Sequence, residues 1–359
     1  MSAQTRVIGF DIARSLAIFG MVIVNFKIAM AAETGSAFWL GFASLFEGRA
    51  SALFVILAGI GISLMSAHTR LAPTSEAITS TRIRLLKRAA LLFIVGIAYT
   101  PIWPADILHF YGVYFVIATA LCFSSNRTLL FASLSFIVGF FGLLLTLDYD
   151  KGWQWSTLTY TDLWTWQGMM RHLVFNGFHP VFPWCAFLLF GMWLGRQPLT
   201  QPSMQKQLAK TAFIVLVGVE TGLFLMRYLA VEHLHISPEV TQQLLTSSII
   251  PPLPQYMVSA ASSAVLILMA CLWFGQHCQQ LWLAQWLYRT GQVSLTLYIA
   301  HVLIGMGTLE AFNLLNAQAI ETALLSALIY CVSATVFSVV WLHFFKLGPC
   351  EWLFKKVAN

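Results

Sequence analysis

A few ionisable and polar side chains stand inside otherwise apolar stretches of this 359-residue chain, and these are the groups that could do chemistry. Asp106 and His109 open the run PADILHFYGVYF three residues apart. On a helix that spacing puts both on one face, where a carboxylate orients or charges an imidazole and makes an acid–base unit. Asn25 lies in the first apolar run, Glu47 and Arg49 open the second, and His301 falls near the middle of SLTLYIAHVLIG. His179 sits in NGFHPVFPW, where two prolines mark a return to an apolar run. An ionisable group inside a membrane span costs at least about 2.5–3.5 kcal/mol, so each needs a partner or a purpose. Gathered at one depth, Asn25, Glu47, Arg49, Asp106 and His109 would supply an acid, a base and hydrogen-bond donors to a substrate at the outer side. The bland alternative is a network that only fixes helix order.

Other charges read the same two ways. Asp11 and Arg14 share a helix face, either as a structural ion pair or as part of a site. Asn25 lies eleven residues further on, about 16 Å along the same helix. Lys27 is expected to snorkel outward. Arg82, Arg84, Lys87 and Arg88, in TRIRLLKRAALL, recur at helical spacing. They suit anionic lipid headgroups, and equally the phosphates of a cytosolic cofactor. No Walker loop, GxGxxG, HExxH or GxSxG element is present, so neither ATP-driven transport nor Rossmann chemistry has support. The six cysteines lie in or beside apolar runs without a CxxC pair and read as packing residues; no metal is expected.

The elements that must position these residues are membrane helices. Fifty-eight per cent of the chain is hydrophobic and 9% is charged, against roughly 45–50% and about 25% in soluble globular proteins. Disorder is excluded by the same figures. Ten apolar runs approach the length that crosses a bilayer: 7–30, 48–67, 85–100, 107–123, 128–147, 179–195, 211–229, 255–274, 292–312 and 322–345. With the N-terminus inside, most of the twenty basic residues fall in inner segments, which predicts ten spans with both termini cytoplasmic. That sidedness accounts for the net charge of +6 without nucleic acid. The first run carries Asp11 and Arg14 and no small-residue cleavage site, so it reads as a retained span. The expected organisation is one all-α transmembrane domain over 1–359, with five spans in 1–147 and five in 179–359. Between them, residues 148–178 form an outer loop or re-entrant segment rich in tryptophan.

Several segments carry a resemblance. RVIGFDIARSLAIFGMVIVNF, LFVILAGIGISL, DILHFYGVYF, PWCAFLLFGMWLGR, TGQVSLTLYIAHVLIG and LGPCEWLF follow, in order, the pattern of YeiB-type bacterial inner-membrane proteins, a domain of unknown function. The terminal Gly348, Pro349, Glu351 and Trp352 are the most specific fragment. That family is similar to a wider superfamily of transmembrane acyltransferases, which includes heparan-alpha-glucosaminide N-acetyltransferase and bacterial polysaccharide O-acetyltransferases. The resemblance implies a multi-pass protein of the bacterial inner membrane. It implies transfer of an acyl group from cytosolic acyl-CoA or acetyl-CoA to a small-molecule or glycan acceptor at the periplasmic side.

Residue by residue, the resemblance makes Arg14 the arginine of the first-span motif. Asn25 takes the position that is histidine in the polysaccharide enzymes and asparagine in the heparan enzyme. The heparan enzyme has its catalytic histidine eleven residues later, where this chain has Ser36, and Ser15 stands where a glycine usually follows the arginine. The first span and its outer loop therefore hold no histidine. Either His109, His301 or His179 is the base, or the chemistry is absent; the depth of the residues favours His109 with Asp106, which requires Asn25 to converge on them. Arg14, Arg82, Arg84 and Arg88 would hold the donor's phosphates, and Glu47, Arg49 and His179 the acceptor. Two other classes stay open: a small-solute transporter lined by Asp11, Arg14, Glu220 and His301, and a non-catalytic membrane protein. The bilayer is the expected partner, and a homo-oligomer is left open.

Overall fold

The computed structural model describes residues 6–358, and its regular structure is helical apart from one two-stranded ribbon. Among the described residues, seven helical segments are long and apolar enough to cross a membrane: Ile8–Ala29, Ala37–Met65, Asn126–Thr146, Pro202–Glu232, Pro254–His277, Ser294–Ala311 and Ile320–Phe344. An eighth forms if the pair Trp166–Asn176 and Val181–Leu194, bent by 49°, counts as one broken span.

Two of the ten expected runs differ from that set for local reasons. The run 85–100 is the apolar half of a helix that begins at Ser75 and ends at Tyr99. Thr74 starts it early by accepting the Ala77 N–H at 3.2 Å, and the four cations lie between Arg82 and Arg88, the last two of them inside the run itself. The run 107–123 is the helix Leu108–Leu121, 14 residues and shorter than a full crossing. The run 292–312 is helical but interrupted by a widened π turn at His301–Met306.

The tryptophan-rich segment is ordered by specific bonds. Trp153–Gln154 pairs antiparallel with Thr159–Tyr160, and Arg171 places one guanidinium nitrogen 2.7 Å from both oxygens of Asp162. The Asn176 amide donates to the carbonyls of Tyr149 and Lys151 at 2.8 and 2.9 Å. A short helix, Pro238–Leu244, lies between the runs 211–229 and 255–274.

Contacts divide the chain into two units, each assembled from separated stretches. The first takes residues up to Leu57, then Leu199–Ala209 and Ser263–Lys356; the second takes Ala58–Pro198, Lys210–Ser262 and the last residues from Val357. In the first, the opening helix Ile8–Ala29 packs on Trp282–Gln292 and Ile320–Phe344. Its core includes Ile12, Ile18, Phe26 and Met30, all nearly free of solvent. In the second, Ser75–Tyr99 packs on Leu108–Leu121 and Asn126–Thr146 packs on Val181–Leu194. Gly96 allows the first of these pairs its close approach: a Cβ there would collide with the backbone nitrogen of His109. Arg196 closes the other end of that pair by donating to the carbonyls of Ser124 and Cys122 at 2.7 and 3.0 Å, where a cation complements a helix C-terminus. Burial, then the neighbouring Arg70, lowers the pKa of Arg196.

Candidate functional site

In the first unit, Asp11 is buried and held by two cations. Arg6 reaches it at 2.7 and 2.9 Å and Arg14 at 2.5 Å. Two guanidinium groups on one carboxylate leave a surplus positive charge at this end of the opening helix. Ser15, which replaces the expected glycine, donates its hydroxyl to the Leu287 carbonyl and so ties the opening helix to its neighbour.

Further along the same helix, Asn25 meets His301. The Asn25 amide nitrogen lies 2.8 Å from His301 Nε2, and His301 Nδ1 bonds the Tyr298 carbonyl. A carbonyl only accepts, so Nδ1 carries the ring proton and the Nε2 lone pair faces Asn25, which donates to it. The imidazole is buried and opens the π turn His301–Met306, a distortion that recurs at functional sites.

The helix leading to His301 is anchored by the chain's own end. Glu351 accepts the backbone N–H of Leu295 at 2.7 Å and of Thr296 at 3.1 Å, and the Thr296 hydroxyl at 2.6 Å. It thereby satisfies amides that the first turn of Ser294–Ala300 leaves open. Gly348 gives this carboxylate its place, since a Cβ there would come within 2.8 Å of the Thr296 hydroxyl oxygen.

The second unit has its own acid–histidine pair. One Asp106 oxygen accepts from the Leu108 amide at 2.9 Å and lies 3.1 Å from His109 Nδ1. With the carboxylate holding the Nδ1 proton, Nε2 is the basic face of the ring. The His109 ring stacks on His172 with centroids 5.8 Å apart and planes at 16°. His172 and His179 are both buried, and their Nδ1 atoms have no hydrogen-bond partner among the described residues. Tyr160 packs edge-on to His172 at 4.7 Å and donates to Asn176 Oδ1 at 2.8 Å. Burial raises the Tyr160 pKa against the opposing pull of Arg171, so the phenol remains a neutral donor. The buried Trp184 ring stands edge-on to His179 at 4.6 Å.

Residues 6–232, more than half of the chain, match the family described as heparan-alpha-glucosaminide N-acetyltransferase, catalytic. The chain belongs to this family. Residues 194–359 match the family described as protein of unknown function (DUF418), so the whole is a DUF418-type member of the acyltransferase-like superfamily. No curated protein matches the chain. In this N-acetyltransferase family member, Asn25 comes from the segment that matches the catalytic family, and His301 from the segment that matches DUF418.

The remaining expected residues fall into distinct places. Glu47 is engaged by Lys27 at 2.9 Å, with Glu33 at 3.5 Å from the same ammonium. Lys27 is thus held in an acidic clasp, where the sequence predicts free snorkelling. Arg49 opens the helix Arg49–Met65 in the same unit. Of the four cations on Ser75–Tyr99, Arg84 and Lys87 line a cavity of about 550 Å³ with Ser75, Thr79, Ser80 and Glu76. Arg82 instead lies over the Phe123 ring, 5.7 Å from its centroid, and Arg88 is not among the lining residues. Ser36 begins the short helix Ala37–Ser44, and its backbone N–H donates to Glu321 at 2.8 Å.

Sequence reasoning missed His172, Glu351 as an anchor, and Arg6 as a second partner of Asp11. His172 falls in the segment read as an outer loop or re-entrant segment. Its helical phase, one turn before Asn176, emerges only once Trp166–Asn176 is seen as part of a bent span.

Proposed function

We propose that this protein is a membrane acyltransferase in which His301 is the general base and Asn25 its partner. The observation that supports this reading is the 2.8 Å contact between Asn25 and His301 Nε2. It supplies, from a different helix, the histidine that the opening segment lacks. In this reading the chain crosses a bacterial inner membrane ten times, with both ends cytosolic. The charged helix Ser75–Tyr99 and the short helix Leu108–Leu121 provide the two crossings that composition and length alone do not mark.

Acyl-CoA, acetyl-CoA in the simplest case, would supply the activated acyl group from the cytosolic side. In the second unit Arg84 and Lys87, with the hydroxyls of Ser75, Thr79 and Ser80 and beside Glu76, are suited to the donor's phosphates; in the first unit Arg14 carries a surplus charge suited to the same group. His301 Nε2 takes the proton of the acceptor's amine or hydroxyl as that atom attacks the acyl carbon. The Asn25 amide then turns its donor to the charge developing on the acyl oxygen. The protonated ring, steadied by the Tyr298 carbonyl at Nδ1, returns the proton to the departing sulfur. Glu47 and Arg49 in the first unit, or His179 in the second, would meet the acceptor from the periplasmic side.

A second assignment of the base has its own support, because the Asp106–His109 pair leaves His109 Nε2 free to accept a proton. One experiment separates the two. The purified protein is incubated with radiolabelled acetyl-CoA and transferred or protein-bound acetyl is counted. Loss of a general base lowers turnover by about 10²–10⁴-fold. That loss is expected in His301→Ala, with His109→Ala retaining most activity; the reverse pattern moves the base to His109. Absence of binding and transfer in the parent protein, together with solute flux in proteoliposomes, refutes the acyltransferase reading and favours transport.

A further inference from the structure

Pro202–Glu232 and Pro254–His277 are both apolar enough to cross a membrane, and their ends line an open groove of about 540 Å³ in the first unit. Its lining residues recur at helical spacing. Leu266, Met269, Ala270, Trp273 and His277 make one face, and Pro202, Gln205, Lys206 and Ala209 make the other. The first face runs about 16 Å along the axis. Polarity is graded along it, from Leu266 and Met269 at one end to His277 and the facing Lys206 at the other.

The rim at the polar end is built from side-chain bonds. Gln205 donates to the Leu199 carbonyl at 2.8 Å and to Gln276 at 3.2 Å, and Gln276 donates to the Thr200 carbonyl at 2.9 Å. His277 lies parallel to Trp273 with centroids 5.0 Å apart, and its Nδ1 donates to the Trp273 carbonyl at 2.9 Å. Its Nε2 is left to accept from a hydroxyl. No acidic residue is among those lining the groove, so the Lys206 ammonium has no lining carboxylate to answer it. Ala209 and Ala270 keep the middle of the groove wide enough for a chain to lie in it.

We infer that this groove holds one anionic phospholipid, its phosphate at Lys206, a headgroup hydroxyl at His277 Nε2, and an acyl chain along Leu266, Met269 and Trp273. An apolar trough alone would take any lipid tail. A cation and an acceptor nitrogen in one lining select a headgroup that carries both net negative charge and hydroxyls. Phosphatidylglycerol fits that description, and phosphatidylcholine does not. The inference is independent of the transferase chemistry, because it uses none of the residues assigned to it.

Native mass spectrometry of the delipidated, detergent-purified protein, titrated with phosphatidylglycerol or phosphatidylcholine, tests this. A saturable single adduct is expected with phosphatidylglycerol and none above background with phosphatidylcholine. A basic residue near a lipid headgroup contributes roughly a fivefold affinity factor, so Lys206→Gln should weaken the adduct by about that factor. Ala209→Trp, which fills the groove, should abolish it, with helicity by circular dichroism confirming that both variants fold. Lys355→Gln, a cation removed elsewhere on the first unit, should leave binding unchanged. Equal binding of the two lipids, or equal losses in Lys206→Gln and Lys355→Gln, overturns the inference. So does full binding in Ala209→Trp.

Discussion

Replacing Glu351 by alanine tests whether the end of the chain sets the helix that carries His301. The carboxylate accepts two backbone amides and one hydroxyl from Leu295 and Thr296. Its loss leaves both amides at the start of Ser294–Ala300 without their acceptor. Deleting a helix-capping side chain costs about 1 kcal/mol, and a hydrogen bond to a charged group is worth about 1.5–3 kcal/mol. Because the three bonds share one half-buried carboxylate, their sum is discounted to about 2–3 kcal/mol. At about 2.1 cal/mol/K of unfolding entropy per residue, a chain of 359 residues shifts Tm by about 1.3 °C per kcal/mol, which gives a fall of about 3–4 °C.

The assay is thermal unfolding of the purified protein in detergent, followed by intrinsic fluorescence. Glu351→Gln keeps one oxygen that can still accept both amides and loses only the hydroxyl bond, so its fall should be about half as large. Thr296→Ala removes that hydroxyl from the other side, and combining it with Glu351→Ala should give less than the sum of the two. The reasoning fails if Glu351→Ala melts with the parent protein. It fails equally if the two single changes add without interaction, since then the carboxylate and the hydroxyl do not share a bond.

Three further outcomes follow from the same geometry. Asp11→Asn leaves Arg6 and Arg14 without their carboxylate; breaking a buried ion pair costs about 3–5 kcal/mol, and the partial exposure of Arg6 puts this one at about 3, read as lowered Tm and poorer membrane expression. Gly96→Val drives a side chain into the His109 backbone, so Tm should fall by several degrees while Gly142→Val, with nothing within 4 Å of its new Cβ, is tolerated. Arg171→Lys keeps a cation for Asp162 but loses the second nitrogen that bonds the Lys151 carbonyl and the Tyr160 hydroxyl, which should cost about 1 kcal/mol and speed limited proteolysis within 148–178 without changing the helical content of the rest.

How much of this was legible in the sequence depends on whether partners are near in the chain. Asp106 with His109 and Asp11 with Arg14 are each three residues apart, and helical periodicity alone makes them neighbours. The all-α class follows from apolar runs and scarce charge. By contrast, Glu351 and Thr296 are 55 residues apart, and Ser15 and Leu287 are 272. Nothing in the composition of either partner announces the other. Of the bent pair Trp166–Asn176 and Val181–Leu194, only the first limb escaped a hydropathy reading, because it is short and partly polar, so its buried histidine fell in the segment read as an outer loop or re-entrant segment.

The Asn25–His301 contact shows why a site of this kind resists reading from one motif. Asn25 in isolation is a polar residue on an apolar helix, and His301 is a lone imidazole that any satisfied core would tolerate. Separated by 276 residues, they acquire meaning from two independent constraints. The Tyr298 carbonyl fixes which ring nitrogen bears the proton, and the π turn that opens at His301 sets where that ring projects. A purely structural histidine would also satisfy both ring nitrogens, but it would need no break in its helix. Here the regular ladder is interrupted at the residue that provides the ring. Such an interruption is unfavourable in a membrane, where every freed backbone group must find another partner. Its coincidence with the imidazole that meets Asn25 is better explained by a demand on the ring's direction than by packing.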